Sequence, residues 1–264
     1  AHEPKLTALL RRVAPRDVAT LIARHPRRDW MLLEDGGSKI REVVRGRDLL
    51  REWEGILPRY AAIQIALLGR GRELSATGTP DHRLERLASG VAAILEDTTV
   101  TRRPGYDQLS ASDRHRIRAT LPVIEARCAE LAGLGIRPTI QHDDLHDGNV
   151  LRKGSRTVVF DWGDACISHP FLSLTVVLRA AAHRTGFARR DPRIARIRDA
   201  YLEPFTRFAP VSELRRAALI AERLGMISRA LTWYRVVKLS GGPLDIGRET
   251  FAGWLRLLPN AFRP

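Results

Sequence analysis

The chain has 264 residues, 44% of them hydrophobic and 28% charged, which is the composition of a folded globular protein and excludes disordered, fibrous and collagen-like classes. Two cysteines, Cys128 and Cys166, cannot build a disulfide scaffold or a four-cysteine zinc site, so a reducing cytoplasm is the expected compartment, and no apolar run is long enough to span a membrane. The net charge is +14, from 44 basic and 30 acidic residues, yet the only lysines are Lys5, Lys39, Lys153 and Lys238, and arginines spread along the whole chain read as solvated helix faces.

Residues 3 to 14 place Leu6, Leu9, Leu10 and Val13 on one helical face, with Pro4 suited to the first turn. Apolar runs at Val18 to Ala23 and Trp30 to Leu33, around a turn at residues 25 to 28, predict a hairpin, and Asp35-Gly36-Gly37-Ser38 a hinge. Helical spacing then predicts helices over 48 to 68, 83 to 95 and 112 to 134, the last opened by Ser112-Asp113, with loops at 69 to 81 and 97 to 107. Short β-branched runs at Thr139-Ile140, Val150-Leu151 and Thr157 to Phe160 predict strands, and periodicity over 171 to 182, 194 to 208, 212 to 239 and 249 to 258 predicts helices.

Residues 141 to 165, QHDDLHDGNVLRKGSRTVVFDWGDA, form an acidic island in this basic chain. Clustered carboxylates raise one another's pKa unless a cation sits among them, so such an island points to a metal or a cationic ligand, and its oxygen-rich donors suit Mg²⁺ better than Zn²⁺. His142-x-Asp144-x-x-x-x-Asn149, followed twelve residues later by Asp161 at the end of a β-branched run, resembles the catalytic loop and metal-binding aspartate of the kinase superfamily. In detail, HDDLHDGNVL, FDWGDA and SHPF resemble the aminoglycoside phosphotransferase and choline kinase branch, with weaker likeness at WMLLEDGG (30 to 37) and LPRYAAIQ (57 to 64).

The resemblance implies an α+β, mostly helical, protein-kinase-like fold with a truncated N-terminal lobe over residues 1–36 (a helix and two strands) and a large helical catalytic and substrate lobe over 37–264. It implies a phosphotransferase that moves the γ-phosphate of ATP to a hydroxyl of a small molecule. Asp144 would be the catalytic base, with His142 buttressing its loop, Asn149 and Asp161 would hold Mg²⁺, and ATP would lie against Glu34, Asp35 and Gly36. Asp143 and Asp147 depart from the family's frequent Gly and Pro and bring pocket charge into question. Gly148 is read as the residue that lets the loop turn, Trp162 as packing, and Asp164 as a brace.

A kinase-like site also needs a glycine-rich loop and a strand lysine paired to a helix glutamate. Glu3 is the candidate glutamate, but neither loop nor lysine is visible, and no lysine has strand context before a helix. The sequence begins at Ala1, so a fragment opening after the lysine-bearing strand is expected. One alternative is therefore a degenerate kinase-like protein that binds nucleotide or ligand without transfer. A metal-dependent phosphohydrolase would need more ligands than His115 and His183 offer. A helix-turn-helix nucleic-acid binder over 217 to 235, with Gly225 in the turn and Arg223 and Arg229 on DNA, ranks below these, because Ile220, Leu224, Ile227 and Leu231 keep one helical stripe through Gly225. The acidic island would suit an amino sugar or other cation, although a charge of +14 gives a polycation no long-range attraction.

Overall fold

The computed structural model describes residues 2–101, 108–240 and 250–263, and its elements follow the hydrophobic pattern closely. Helix α1 (Glu3–Val13), with Pro4 in its first turn, buries Leu6, Leu9 and Leu10. Strands β1 (Leu21–Arg24) and β2 (Met31–Leu33) form the antiparallel hairpin. Then come β3 (Ser38–Lys39), α2 (Ile40–Val43), α3 (Gly46–Ala66), α4 (Gly71–Ala76), α5 (Leu84–Glu96) and α6 (Thr98–Thr101). The remaining elements are α7 (Ala111–Arg118), α8 (Leu121–Ala132), β4 (Thr139–Gln141), β5 (Val150–Lys153), β6 (Arg156–Val159), β7 (Cys166–Ser168), α9 (Leu174–Thr185), α10 (Pro192–Leu202), α11 (Val211–Leu239) and α12 (Phe251–Ala261).

Five local expectations change. The loop at 69 to 81 contains α4, and part of the irregular 97 to 107 stretch is α6, residues 102–107 lying outside the described ones. The long helix over 112 to 134 is two helices, because Pro122 has no N–H for an interior helical bond and instead sits in the first turn of α8. Its start is capped by Ser110 rather than Ser112, in a reciprocal capping box with Asp113. Lys39 ends β3 directly before α2, so one lysine does have strand context before a helix, but it is exposed at the surface.

Three small sheets frame the site. β5 and β6 pair antiparallel with β3 on the outer edge of β5, and Val18 bridges to Val159 on the other side. β4 pairs with β7, a three-residue strand too short for its alternation to stand out in sequence. Around them lies a helical body in which α11 packs on α12, α9 and α5, and α10 packs on α3. Helix α11 runs unbroken through Gly225, which rules out the turn of a helix-turn-helix. A Cβ at Gly225 would stand 1.9 Å from Thr175 Oγ1 and 2.7 Å from the Leu172 carbonyl, so glycine is there to let α11 press onto the start of α9. Both cysteines are buried and unpaired, and among the described residues no helix is long and apolar enough to cross a membrane.

Candidate active site

The catalytic-loop residues lie between β4 and β5, and the antiparallel register fixes who meets whom. Val150 pairs with Val159, and the Phe160 N–H donates to the Asn149 carbonyl at 3.1 Å, so Asn149 and Asp161 emerge together at the open end of the hairpin. Asp161 is exposed and held in the left-handed region at φ 62°. The Asn149 amide donates to the Asp144 carbonyl at 2.9 Å and approaches Asp144 Oδ2 at 3.4 Å, which ties the loop's first and last polar residues together.

His142 is fully buried. The Asp144 N–H donates to its Nδ1 at 3.3 Å, its Nε2 bonds the Phe160 carbonyl at 2.9 Å, and its ring lies 4.7 Å from that of buried Trp162. Burial pushes its pKa down against the pull of nearby carboxylates, so the imidazole links the loop to the Asp161 segment as a neutral spacer. From behind, Tyr60 Oη accepts the His142 N–H at 2.9 Å and bonds Ser173 at 2.8 Å, while Gln64 donates to the Ile140 carbonyl at 2.9 Å. These residues belong to the LPRYAAIQ segment, one face of α3.

Arg229 is the main functional residue that sequence reasoning misplaced. Given a DNA contact only in the lowest-ranked alternative above, it is 1% exposed, which withdraws that role. Its guanidinium sits 3.2 Å from Asp144 Oδ1, 3.0 Å from Asp164 and 3.8 Å from Asp143. Much of the cation demanded by the acidic island is thus internal. The available signal was an arginine among small and apolar residues (Ser228, Ala230) on the core stripe of a helix, where an unpaired charge would be prohibitive. Burial works to raise the Asp144 pKa, but the His146 hydrogen bond and the Arg229 charge overcome it and hold the carboxyl well below its usual range.

The two departures from the family pattern do not charge the pocket. Asp143 adopts φ 62°, the conformation that favours glycine, and its buried carboxylate accepts from Gln141 at 2.6 Å and Thr232 at 2.5 Å. Burial pushes its pKa up to about 6 against Arg229 and Thr232. Asp147 is buried between Arg41 and Arg184, at 3.3 and 2.9 Å. Gly148 has no positive φ, so the turn does not require it. Instead, a Cβ there would stand 2.1 Å from the Arg41 guanidinium. Asp164 braces through Arg229, with Arg235 4.0 Å away.

On the other side of the site, a Cβ at Gly163 would lie 3.4 Å from Glu3 Oε2 and 3.7 Å from Asp161 Oδ1, so α1 brings Glu3 beside the metal-binding candidate. Burial, then the Asp161 charge, raises the Glu3 pKa, and among the described residues no lysine or arginine pairs with it. A cleft of about 110 Å³ is lined by Ala19, Thr20, Glu34, Asp35, Gly36 and Lys153, and the Lys153 ammonium meets Asp35 at 3.3 Å. Gly36 has no room for a Cβ, which would be 2.6 Å from Leu151 Cδ1, and Gly37 has φ 87°. The donor set of Asn149, Asp161 and the uncompensated Glu3 is hard, oxygen-bearing and net anionic, which fits Mg²⁺.

The family model of the phosphotransferase enzyme family matches residues 5–215. The chain belongs to that family. This phosphotransferase has the fold of small-molecule kinases: an ethanolamine kinase from Plasmodium vivax matches at TM-score 0.61 and 13% identity, covering 96% of this chain and 71% of that one. A choline kinase from Cryptosporidium parvum matches at TM-score 0.60 and 10% identity, covering 98% and 76%. The GDP and kanamycin complex of an aminoglycoside phosphotransferase, APH(2")-IIia, matches at TM-score 0.53 and 15% identity, covering 89% and 75%. No curated protein sequence matches the chain. The phosphotransferase thus has the mostly helical, kinase-like α+β architecture its catalytic-loop motif implied.

Proposed function

We propose that this phosphotransferase moves the γ-phosphate of ATP to a hydroxyl of a small molecule, with Asp144 as the residue that receives that hydroxyl. The observation that carries the reading is the convergence of Asp144, Asn149 and Asp161 at one end of the β5–β6 hairpin, with Glu3 alongside. Phosphoryl transfer asks little covalent chemistry of a protein; it asks for alignment and charge neutralisation. Asp144, ionised beside Arg229, accepts the acceptor's O–H and orients it, and takes the proton late, as the oxygen is phosphorylated. Asn149 and Asp161 would hold Mg²⁺, which when bound offsets the charge of the phosphates. The cleft by Glu34, Asp35 and Gly36 holds the base of ATP, and residues 1–36 serve as the nucleotide-side lobe.

The carboxylates that would have greeted a cationic acceptor, Asp143, Asp147 and Asp164, are each engaged by arginine, which favours a neutral hydroxyl compound over a polycation. Calorimetric titration with Mg-ATP tests the nucleotide half of the proposal. Binding should require the metal and vanish in Asp161→Ala; binding that is indifferent to both would refute it. A second reading, binding without transfer, is favoured by the lack of a lysine at Glu3 among the described residues, and metal-dependent binding with no ADP release across neutral acceptors would select it.

A further inference from the structure

His146 and Asp147 follow Asp144 in the loop and have no part in the transfer set out above. The Nδ1 of His146 receives two donors, Arg41 Nη2 at 2.9 Å and the Gly148 N–H at 2.9 Å. A guanidinium and a backbone amide can only donate, so Nδ1 is the lone-pair nitrogen and the ring proton sits on Nε2. That Nε2 faces Asp144 Oδ2 at 3.5 Å, while Arg229 takes Oδ1. The carboxylate is therefore gripped from both sides.

Arg41 is itself fixed. Its guanidinium meets Asp147 Oδ1 at 3.3 Å, its backbone N–H donates to the Asp147 carbonyl at 3.1 Å, and its own carbonyl accepts from Arg184 Nη2 at 3.3 Å. Arg184, on α9, donates through Nε to the other Asp147 oxygen at 2.9 Å. A carboxylate with a 3% exposed side chain and two guanidinium partners is an expensive arrangement for surface decoration, since breaking either pair strands a buried charge. It joins three separate segments, α2, the loop and α9, and it reaches the Asp144 carboxylate through His146. The missing Cβ of Gly148 is what admits Arg41.

We propose that Arg41, Asp147 and Arg184 are positioning residues that lock His146 as its Nε2–H tautomer, aiming a donor at Asp144 Oδ2 and so setting the orientation of that carboxylate for transfer. The last step rests on the role given to Asp144 above; the tautomer does not. Long-range ¹H–¹⁵N spectra of the imidazole nitrogens test it without turnover, the His146 signals being assigned by their loss in His146→Ala. The wild-type pattern should be that of Nε2–H alone, moving to a tautomer mixture in Arg41→Gln and in Asp147→Asn. A mixture or an Nδ1–H pattern in the wild type overturns the proposal whether or not the protein transfers phosphate.

Hydrolysis of Mg-ATP supplies the kinetic arm. His146→Ala should lower kcat roughly 10- to 100-fold with KM for Mg-ATP unchanged, the loss expected from misplacing an aligned group by about an ångström. His146→Gln, whose amide can donate from the Nε2 position, should recover most of it. Equal damage in the two variants, or a loss carried by KM, overturns the positioning role. A wild type that hydrolyses no ATP but keeps the Nε2–H tautomer counts against the transfer reading and not against the relay.

Discussion

Two antiparallel hairpins face the proposed nucleotide cleft, and they are built on opposite terms. β5–β6 carries the loop residues into a buried frame in which every inward carboxylate of the loop has a guanidinium or hydroxyl partner. β1–β2 is thin and open: Ile22, Trp30 and Leu32 are each more than half exposed, and its best aromatic contact is Arg28 over Trp30 at 4.5 Å. Precision in this molecule is spent where charge must be aimed. The outer hairpin is a scaffold edge, whereas the loop between β4 and β5 is an electrostatic assembly in which each part depends on its partners.

The largest expected effect comes from breaking that assembly at its centre. Arg229→Met strands Asp143, Asp144 and Asp164 and should cost about 3–5 kcal/mol in urea unfolding, with activity lost. An unchanged midpoint would mean that the carboxylates find water instead. Asp144→Asn leaves Asp143 and Asp164 on Arg229, so it should lower the midpoint by less than Arg229→Met while lowering transfer roughly 10²- to 10⁴-fold, and full turnover in that variant would remove Asp144 from the reaction.

Acid sharpens the comparison further. Burial holds His82 down to about 4 and His169 down to about 3, so their contribution is complete above 6.5 and is lost as pH falls toward those values. Each loses about 1.4 kcal/mol per pH unit over that window. Asp143, pushed up to about 6, works the other way, its contribution full at low pH and lost as pH rises through 6. Between pH 6 and 4 the balance of the three is a net loss, and urea midpoints should fall accordingly. His82→Gln with His169→Gln should remove those two losses and leave the opposing Asp143 contribution, so the fall should shrink or reverse, and an undiminished fall would place it elsewhere. The smallest effect belongs to the open hairpin: Trp30→Ser should shift stability by no more than about 0.5 kcal/mol, measured the same way.

What was legible in the sequence follows the same divide. Asp144, Asn149 and Asp161 could be singled out because their spacing resembles a catalytic-loop motif, and one hairpin and its register bring the three together. Arg41 and Arg184 could not, because tertiary packing delivers them from α2 and α9 in an arginine-rich chain, and Arg229 carried only its place on the core stripe of α11, which does not say which carboxylates it meets. Helix stripes such as Leu49, Leu50, Trp53, Ile56 and Leu57 were clear at 3.6-residue spacing, whereas β3 and β7, two and three residues long, offer too few side chains for a period to show. Gly148 was read as a turn residue and is in fact a clearance for Arg41, while Gly225, inside the continuous stripe the sequence shows, is a clearance for Thr175, something only the neighbour across the gap reveals.

Gly225 also acts as a gauge. Arg229 follows it by four residues, about one helical turn and 6 Å along α11, so the depth to which α11 sinks against Thr175 and Leu172 sets how far the guanidinium reaches toward Asp144. A side chain one methyl larger, remote from phosphate and acceptor alike, would lift the arginine as a shim lifts a lever. The grip on the loop's carboxylates is therefore set from the helix interior, by spacing alone and without altering any charged residue.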